Sequence, residues 1–326
     1  MTDAPSVPAD RSWLSGWDRW FFAPESPSPM ALVRAAWGVT AAIWAISLLP
    51  DVDPFLTKGK LQYLGNGPGV WNPLTWISWR QAPLAVCVLL IPAALATAVG
   101  YRTRFSSALA VLCMLALERT NIAMSNSGDL VLRSIGLVVV LAPCGLVFSV
   151  DAVRARRRQR AEGVEHAPAP RRAPWARRLL QIHIAVGYAL SCWAKLGGNT
   201  WYEGTALGYA LRVHDLSRAP VPGFFFDHAV LVNLATWGTL LFEASFVFLV
   251  WNKRWRPWVL TIGVLFHLGI DLFIDVGFLS YAMLISYLAF LPPETADKVV
   301  AWLTERLGRL PLVRRRPSPE LEPQPG

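Results

Sequence analysis

Apolar stretches close to 20 residues long recur through this chain, and a helix needs about that length to cross the hydrocarbon core of a bilayer. Eight are recognisable, at 30–49, 82–100, 104–122, 129–150, 178–196, 229–250, 256–274 and 277–291. Inside lipid every backbone N–H and C=O must be satisfied within its own segment, so the pattern predicts an all-α, polytopic membrane helix bundle of about eight transmembrane helices. The last stretch is short and follows the seventh so closely that residues 275–277 must turn tightly. Composition supports the choice of solvent. Hydrophobic residues make up 54% of the chain, more than a soluble protein usually carries. The 16 tryptophans suit the two membrane interfaces, where an amphipathic indole is favoured.

Lysine and arginine orient the bundle, because cytoplasmic connections carry their excess. On one side fall Arg11 and Arg19, Arg102 and Arg104, a run across 154–178, Lys253, Arg254 and Arg256, and finally Arg314, Arg315 and Arg316. The other side holds only Lys58, Lys60, Arg80, Arg212 and Arg218. Both termini are therefore expected in the cytoplasm, which requires an even number of spans. The formal net charge of +9 is accounted for by this asymmetry, so the expected partner is the lipid bilayer and not nucleic acid. The expected location is a bacterial plasma membrane, multi-pass.

The resulting organisation is a cytoplasmic segment at 1–29, a transmembrane domain at 30–293 with a basic cytoplasmic loop at 151–177, and a basic, Pro-rich cytoplasmic tail at 294–326. The N-terminus lacks a short apolar core with a small-residue cleavage site, so no removable signal peptide is expected. The stretches at 154–174 and 314–326 are charged, Pro-rich and poor in core formers, and read as linkers near anionic headgroups rather than packed structure. The connections at 50–81 and 198–228 carry Trp71, Trp76, Trp79, Trp201, Phe224, Phe225 and Phe226, which places them on the outer interface as a roof for a cavity. Cys87, Cys113, Cys144 and Cys192 lie in apolar stretches without CxxC spacing. They read as packing residues, and no metal site is expected.

Ionisable side chains inside a span are costly and mark pairs, bundle interiors or water-filled paths. In the expected topology, Glu118, Asn121, Asp129, Arg133, Lys195, His267 and Asp271 converge on the outer leaflet from four spans, whereas Arg34, His183 and Glu243 lie towards the inner one. Asp129 with Arg133, and His267 with Asp271, are four apart and share a helix face, so each is expected to form a pair that fixes packing. Lys195, in SCWAKLGGNTW, has no carboxylate three or four residues away on its own helix, so any partner is distant in sequence. Two readings stand for it. Its stem can lie along the helix and carry the charge to outer water. Alternatively, an apolar site disfavours the ammonium and leaves a neutral amine that can act as a base.

Three segments carry a family resemblance. KLGGNTWYEGTALGYAL follows the fifth span, FHLGIDLFIDVGFLSYAML crosses the seventh and eighth, and NSGDLVLR occupies 126–133. Together they resemble the horizontally transferred transmembrane domain, a family whose eukaryotic relative is vitamin K-dependent gamma-carboxylase and whose bacterial relatives include proteins like sporulation-delaying protein B. The resemblance implies that Lys195, heading a stretch matched by Leu196, Trp201, Glu203 and Gly204, is the base that deprotonates a reduced vitamin K or menaquinol. It implies a carboxylase or epoxidase, a lyase-type chemistry in which a peptide glutamate takes up carbon dioxide in a dry site at the outer face. His267, Asp129 and Arg133 are then expected to orient or stabilise the charged intermediate, with Asn126 and Asp271 beside them and Trp201 and Tyr202 closing the cavity. The chain reads Asn126, Ser127, Gly128 where the carboxylase has Asn-His-Ser, and the residues after the eighth stretch are expected to form a cytoplasmic tail and not the large lumenal region that grips a propeptide. Processive carboxylation of a clotting-factor-like substrate is therefore not expected. The alternative is a non-catalytic membrane partner for maturation, export or tolerance of a secreted peptide client. A transporter is disfavoured by the lack of repeated halves.

Overall fold

A computed structural model describes residues 12–57, 71–77, 79–121, 124–164 and 170–308. In chain order the helices are α1 (Ser12–Phe22), α2 (Ser28–Asp51), α3 (Ala82–Val99), α4 (Thr103–Thr120), α5 (Ser127–Leu141), α6 (Val150–Ala161) and α7 (Trp175–Leu196). They continue as α8 (Asn199–Tyr202), α9 (Ala206–Ala210), α10 (Gly223–Asp227), α11 (Ala229–Leu249), α12 (Arg256–Phe273), α13 (Leu279–Tyr287) and α14 (Pro293–Gly308). Among the described residues there is no strand, only isolated bridges between Glu25 and Arg172 and between Ser217 and Ile274.

Five helices are long and apolar enough to cross a membrane: α2 with its π-helical extension to Leu56, α3, α7, α11 and α12. The remaining three expected spans differ for identifiable reasons. α4 has 18 residues but carries Arg104, Glu118 and Arg119. α5 stops at Leu141, well short of the expected 150, because Pro143 forces the residue before it out of the helical region, and Ala142 sits at φ −74°, ψ 146°. α13 has only nine residues before a 3₁₀ turn carries the chain to Phe290.

One stretch expected to be unpacked contains a helix, and another helix opens the region assigned to the tail. α6 occupies the first part of the basic loop, started by Ser149, whose hydroxyl accepts from Ala152 N at 2.9 Å. Asp151 in its first turn and Arg158 and Arg160 in its last complement the helix dipole. α14 takes the start of the expected tail and packs on α2. Asp297 there accepts from the hydroxyls of Ser26 and Ser28, each at 2.5 Å. Residues 314–316 and the Pro-rich end lie outside the described residues.

Lipid is as apolar as leucine, so helices in a bilayer associate through close packing and polar contacts rather than through hydrophobic burial. The packing forms two groups that share α5. In one, α2, α3, α4 and α5 lie side by side, and Trp37, Leu90, Met114, Leu132 and Ile135 fill their interior. In the other, α5, α7, α11, α12 and α13 close a ring, each touching the next. Buried Arg34 ties the first group together. Its guanidinium donates to Thr97 O at 2.9 Å and Ala98 O at 3.0 Å in the last turn of α3, and to Phe148 O in the connection between α5 and α6. On the same face Asp151 accepts from Arg102 N, Thr103 N and the Thr103 hydroxyl at 2.8–2.9 Å. Its partial burial alone would raise its pKa, but these bonds and nearby Arg154 carry it below the usual carboxylate value.

Candidate functional site

The ring of five helices encloses a cavity of about 390 Å³, within the range that holds small organic ligands. Its polar wall comes from α7, where Tyr188, Ser191 and Lys195 recur at intervals of three and four and so lie on one face. Lys195 Nζ donates to Glu243 Oε1 at 2.7 Å and to Ser191 Oγ at 2.5 Å, and Ser191 Oγ lies 3.1 Å from the same carboxylate oxygen. Nζ also stands 5.4 Å from the centre of the Trp201 ring, a cation–π distance. The distant partner expected for Lys195 is thus Glu243 on α11, a residue that depth alone had assigned to the opposite leaflet. The Lys195 side chain retains 22% of its exposure and that of Glu243 only 5%, so the pair closes inside the bundle instead of reaching out to solvent.

His267 on α12 forms part of the same wall and is buried. Its Nε2 lies 2.8 Å from the Tyr188 hydroxyl, which is itself hydrogen-bonded to the Tyr287 hydroxyl on α13. Gly263, one turn before His267, makes room for that tyrosine: a Cβ there would fall 2.5 Å from the Tyr287 oxygen. Two buried polar atoms of this wall have no hydrogen-bond partner, Glu243 Oε2 and His267 Nδ1. Buried polar atoms are nearly always paired, so leftover bonding capacity from two helices beside one cavity suits a polar ligand.

The remaining expected site residues divide differently. Asn126 and Asp129 form a capping box at the start of α5: Asn126 Oδ1 accepts from Gly128 N and Asp129 N, and Asp129 Oδ2 accepts from Asn126 N at 3.0 Å. Asp129 Oδ1 takes a further bond from Trp44 Nε1 at 2.8 Å. Arg133 pairs with Glu118 of α4 rather than with Asp129 one turn before it. Asp129, Asn126, Glu118 and Asn121 line a separate cavity of about 200 Å³ between α2, α4 and α5, away from Lys195. Asp271 does not pair with His267 either. It binds Arg218 at 2.8 Å and the Tyr281 hydroxyl at 3.0 Å, and Arg218 also reaches Asp275 at 3.0 Å. The i, i+4 rule brings residues to one face but does not decide between neighbours on that face and partners on the next helix.

Of the two expected roof residues, Trp201 lines the cavity, while Tyr202 is 63% exposed outside it. Gly204 adopts φ +75°, a left-handed conformation that glycine takes without strain, and so turns the chain from α8 towards α9. Ser127, at the position where the carboxylase has its histidine, lines the Lys195 cavity. The expectation of packing cysteines agrees with Cys87, Cys113 and Cys144 being buried and Cys192 partly so, none in a disulfide. Tyr188, Ser191 and Tyr287 were not singled out from sequence. The 188, 191, 195 spacing was the available signal for the first two, while Tyr287 is brought in by the packing of α13.

The five long apolar helices define an integral membrane protein of the all-helical, multi-pass class. The HTTM domain family profile matches residues 22–294, most of the chain, and the protein belongs to that family. No solved structure matches this fold.

Proposed function

We propose that the protein is an intramembrane enzyme of carboxylase-like type that oxidises a lipid quinol, reduced vitamin K or menaquinol, at the outer leaflet of a bacterial plasma membrane. In this reading the chain crosses eight times with both ends in the cytoplasm, α4, α5 and α13 supplying the spans beyond the five long ones. The short helices gain support because α5 and α13 are members of the ring and pack on each other and on α7, and α13 also packs on α12.

The observation that carries the proposal is the Lys195–Glu243 pair in the wall of an apolar cavity that also holds a buried imidazole. The quinol is the substrate. With Lys195 as the amine and Glu243 as the carboxylate the pair carries one negative charge. Taking a proton from a quinol hydroxyl makes the pair neutral and moves that charge to the substrate oxygen. Reaction with dioxygen then converts quinol plus O₂ to quinone epoxide plus water, and the alkoxide formed on the way is basic enough to remove a peptide γ-proton. Tyr188 and Ser191 orient the ring, and His267 offers Nδ1 to a charged oxygen. The walls of Val131, Ile270, Leu279 and Met283 exclude the water that would quench such a base. Coupling to a secreted peptide client belongs to this proposal. Asp129 and Arg133 support helix packing in it rather than the reacting atoms.

A second reading draws on the same pair. Lys195 already has two acceptors, so the ion pair can serve only to fix α7 on α11 in a non-catalytic membrane partner. The test supplies purified protein with reduced naphthoquinone and oxygen and follows quinone epoxide by chromatography, for wild type beside Lys195→Arg and Lys195→Ala. Arginine keeps the charge and the pairing but cannot become a neutral base. Epoxide from wild type, and loss by about two orders of magnitude or more in Lys195→Arg, is expected. Absence of epoxide from folded wild type, in an assay where a known carboxylase forms it, overturns the enzyme reading in favour of the partner.

A further inference from the structure

Gly187 lies in the interior of α7, nine residues before its end at Leu196 and so about 13 Å along the helix from that end. Glycine at such a position weakens a helix and is usually explained by a neighbour that needs the space, as Gly263 is by Tyr287. Gly187 has no such neighbour. Nothing lies within 4 Å of where its Cβ would stand, and the residue is exposed on the outside of the bundle. It nevertheless lines the Lys195 cavity, and so does His183 one turn before it, also exposed. A residue that faces both the cavity and the outside marks an opening. The polar groups Lys195, Ser191 and Glu243 lie beyond this opening towards the Leu196 end, while Val131 on α5 and Ile184 on α7 add apolar surface to the cavity.

We propose that the gap beside Gly187 is a lateral portal through which the hydrocarbon tail of an amphiphilic substrate passes from the cavity into the bilayer. This rests on reading the cavity as a lipid-quinol site, and it specifies the substrate as one whose tail remains in lipid while its ring occupies the cavity. The tail gains nothing by leaving lipid for protein, since both are apolar. The portal acts by permission: a long-tailed quinone reaches Lys195 only if the wall is open where its chain must cross.

The fold supplies an internal control. Gly238 on α11 is likewise exposed, with nothing within 4 Å of its Cβ position, but it does not line the cavity. Wild type, Gly187→Phe and Gly238→Phe are compared in lipid nanodiscs by the thermal stabilisation given by a tetraprenyl menaquinone and by menadione, which has the same ring and no tail. Wild type and Gly238→Phe are expected to bind both. Gly187→Phe is expected to hold menadione within about twofold of wild type and to weaken for the tailed quinone by roughly tenfold or more. Equal effects on both quinones in Gly187→Phe, no effect on either, or no binding of either by wild type overturns the portal. The epoxide assay separates this from the parent reading. Gly187-dependent binding of the tailed quinone without epoxide formation keeps the portal and discards the oxidation.

Discussion

The Lys195–Glu243 pair makes an asymmetric prediction that tests whether the lysine is held in the cavity. At 2.7 Å and an effective dielectric of 20 the gross attraction is about 6 kcal/mol, most of it offset by the desolvation of the two ions. What a substitution costs depends on the ion left behind. Lys195→Met leaves a carboxylate with 5% exposure and no cation, and its second oxygen is already unpartnered, so the loss falls in the full range for breaking a buried pair, about 3–5 kcal/mol. Glu243→Gln leaves an ammonium whose side chain keeps 22% exposure, still bonded to Ser191 and able to swing towards the interface. That loss is expected to be smaller, about 1–2 kcal/mol. The double variant Lys195→Met with Glu243→Leu removes both ions and should recover most of the stability, because apolar replacement of a buried pair is often neutral. The assay is reversible unfolding in mixed micelles by increasing SDS, read by tryptophan fluorescence. If Glu243→Gln costs more than Lys195→Met, or if the double variant is as unstable as the worse single one, the buried-pair geometry is wrong.

Three further outcomes follow from other contacts. Gly263→Ala drives a methyl group into the Tyr287 hydroxyl, so it should cost about 1–3 kcal/mol by overpacking in the same unfolding assay, with part of the loss relieved by Tyr287→Phe. Trp44→Phe removes the Nε1 donor from Asp129 and leaves a buried carboxylate oxygen short of one bond, an expected loss of about 1–3 kcal/mol by SDS unfolding. Asp151, with its folded pKa depressed, stabilises the protein above the ordinary aspartate range and loses that contribution as pH falls through the folded value. Melting curves between neutral pH and pH about 3 should therefore show a smaller acid-induced drop for Asp151→Asn than for wild type.

Sequence alone was most informative where chemistry is local. A run of apolar residues states its own solvent, so the five long helices were legible within a few residues of their ends. Boundaries failed where one residue overrode composition, as Pro143 did at the end of α5. The basic loop misled for a related reason: its charge suggested a linker, but Ser149, Asp151 and the terminal arginines are also the features that start and finish a helix. In the site, Lys195 could be singled out by what it lacked on its own helix, and Gly204 by its place in the Trp-x-Glu-Gly pattern. Glu243 could not be joined to Lys195, because the depth of a residue on α11 relative to α7 depends on tilt and register, which no single segment encodes. The same limit misassigned Arg133 and Asp271, whose partners lie on other elements of the fold.

These pairings separate polar residues that complete the fold from those with capacity to spare. Asp129 has a capping box and an indole, Asp271 an arginine and a tyrosine, and Arg177 donates to Glu25 and to the carbonyls of Ala289 and Leu291. Their bonds to other elements explain why the charge is tolerated. Glu118 is intermediate: one oxygen binds Arg133, and the other is unpartnered in the wall of the smaller cavity. At the larger cavity the unpartnered atoms come from α11 and α12, while Lys195 and Trp201 approach from α7 and α8. No one helix needs these groups for its own termini, and removing both ions of the pair is predicted to cost little stability. The proposed enzyme reading gives these groups a use, and loss of activity without loss of fold in the Lys195→Arg protein is the behaviour that proposal requires.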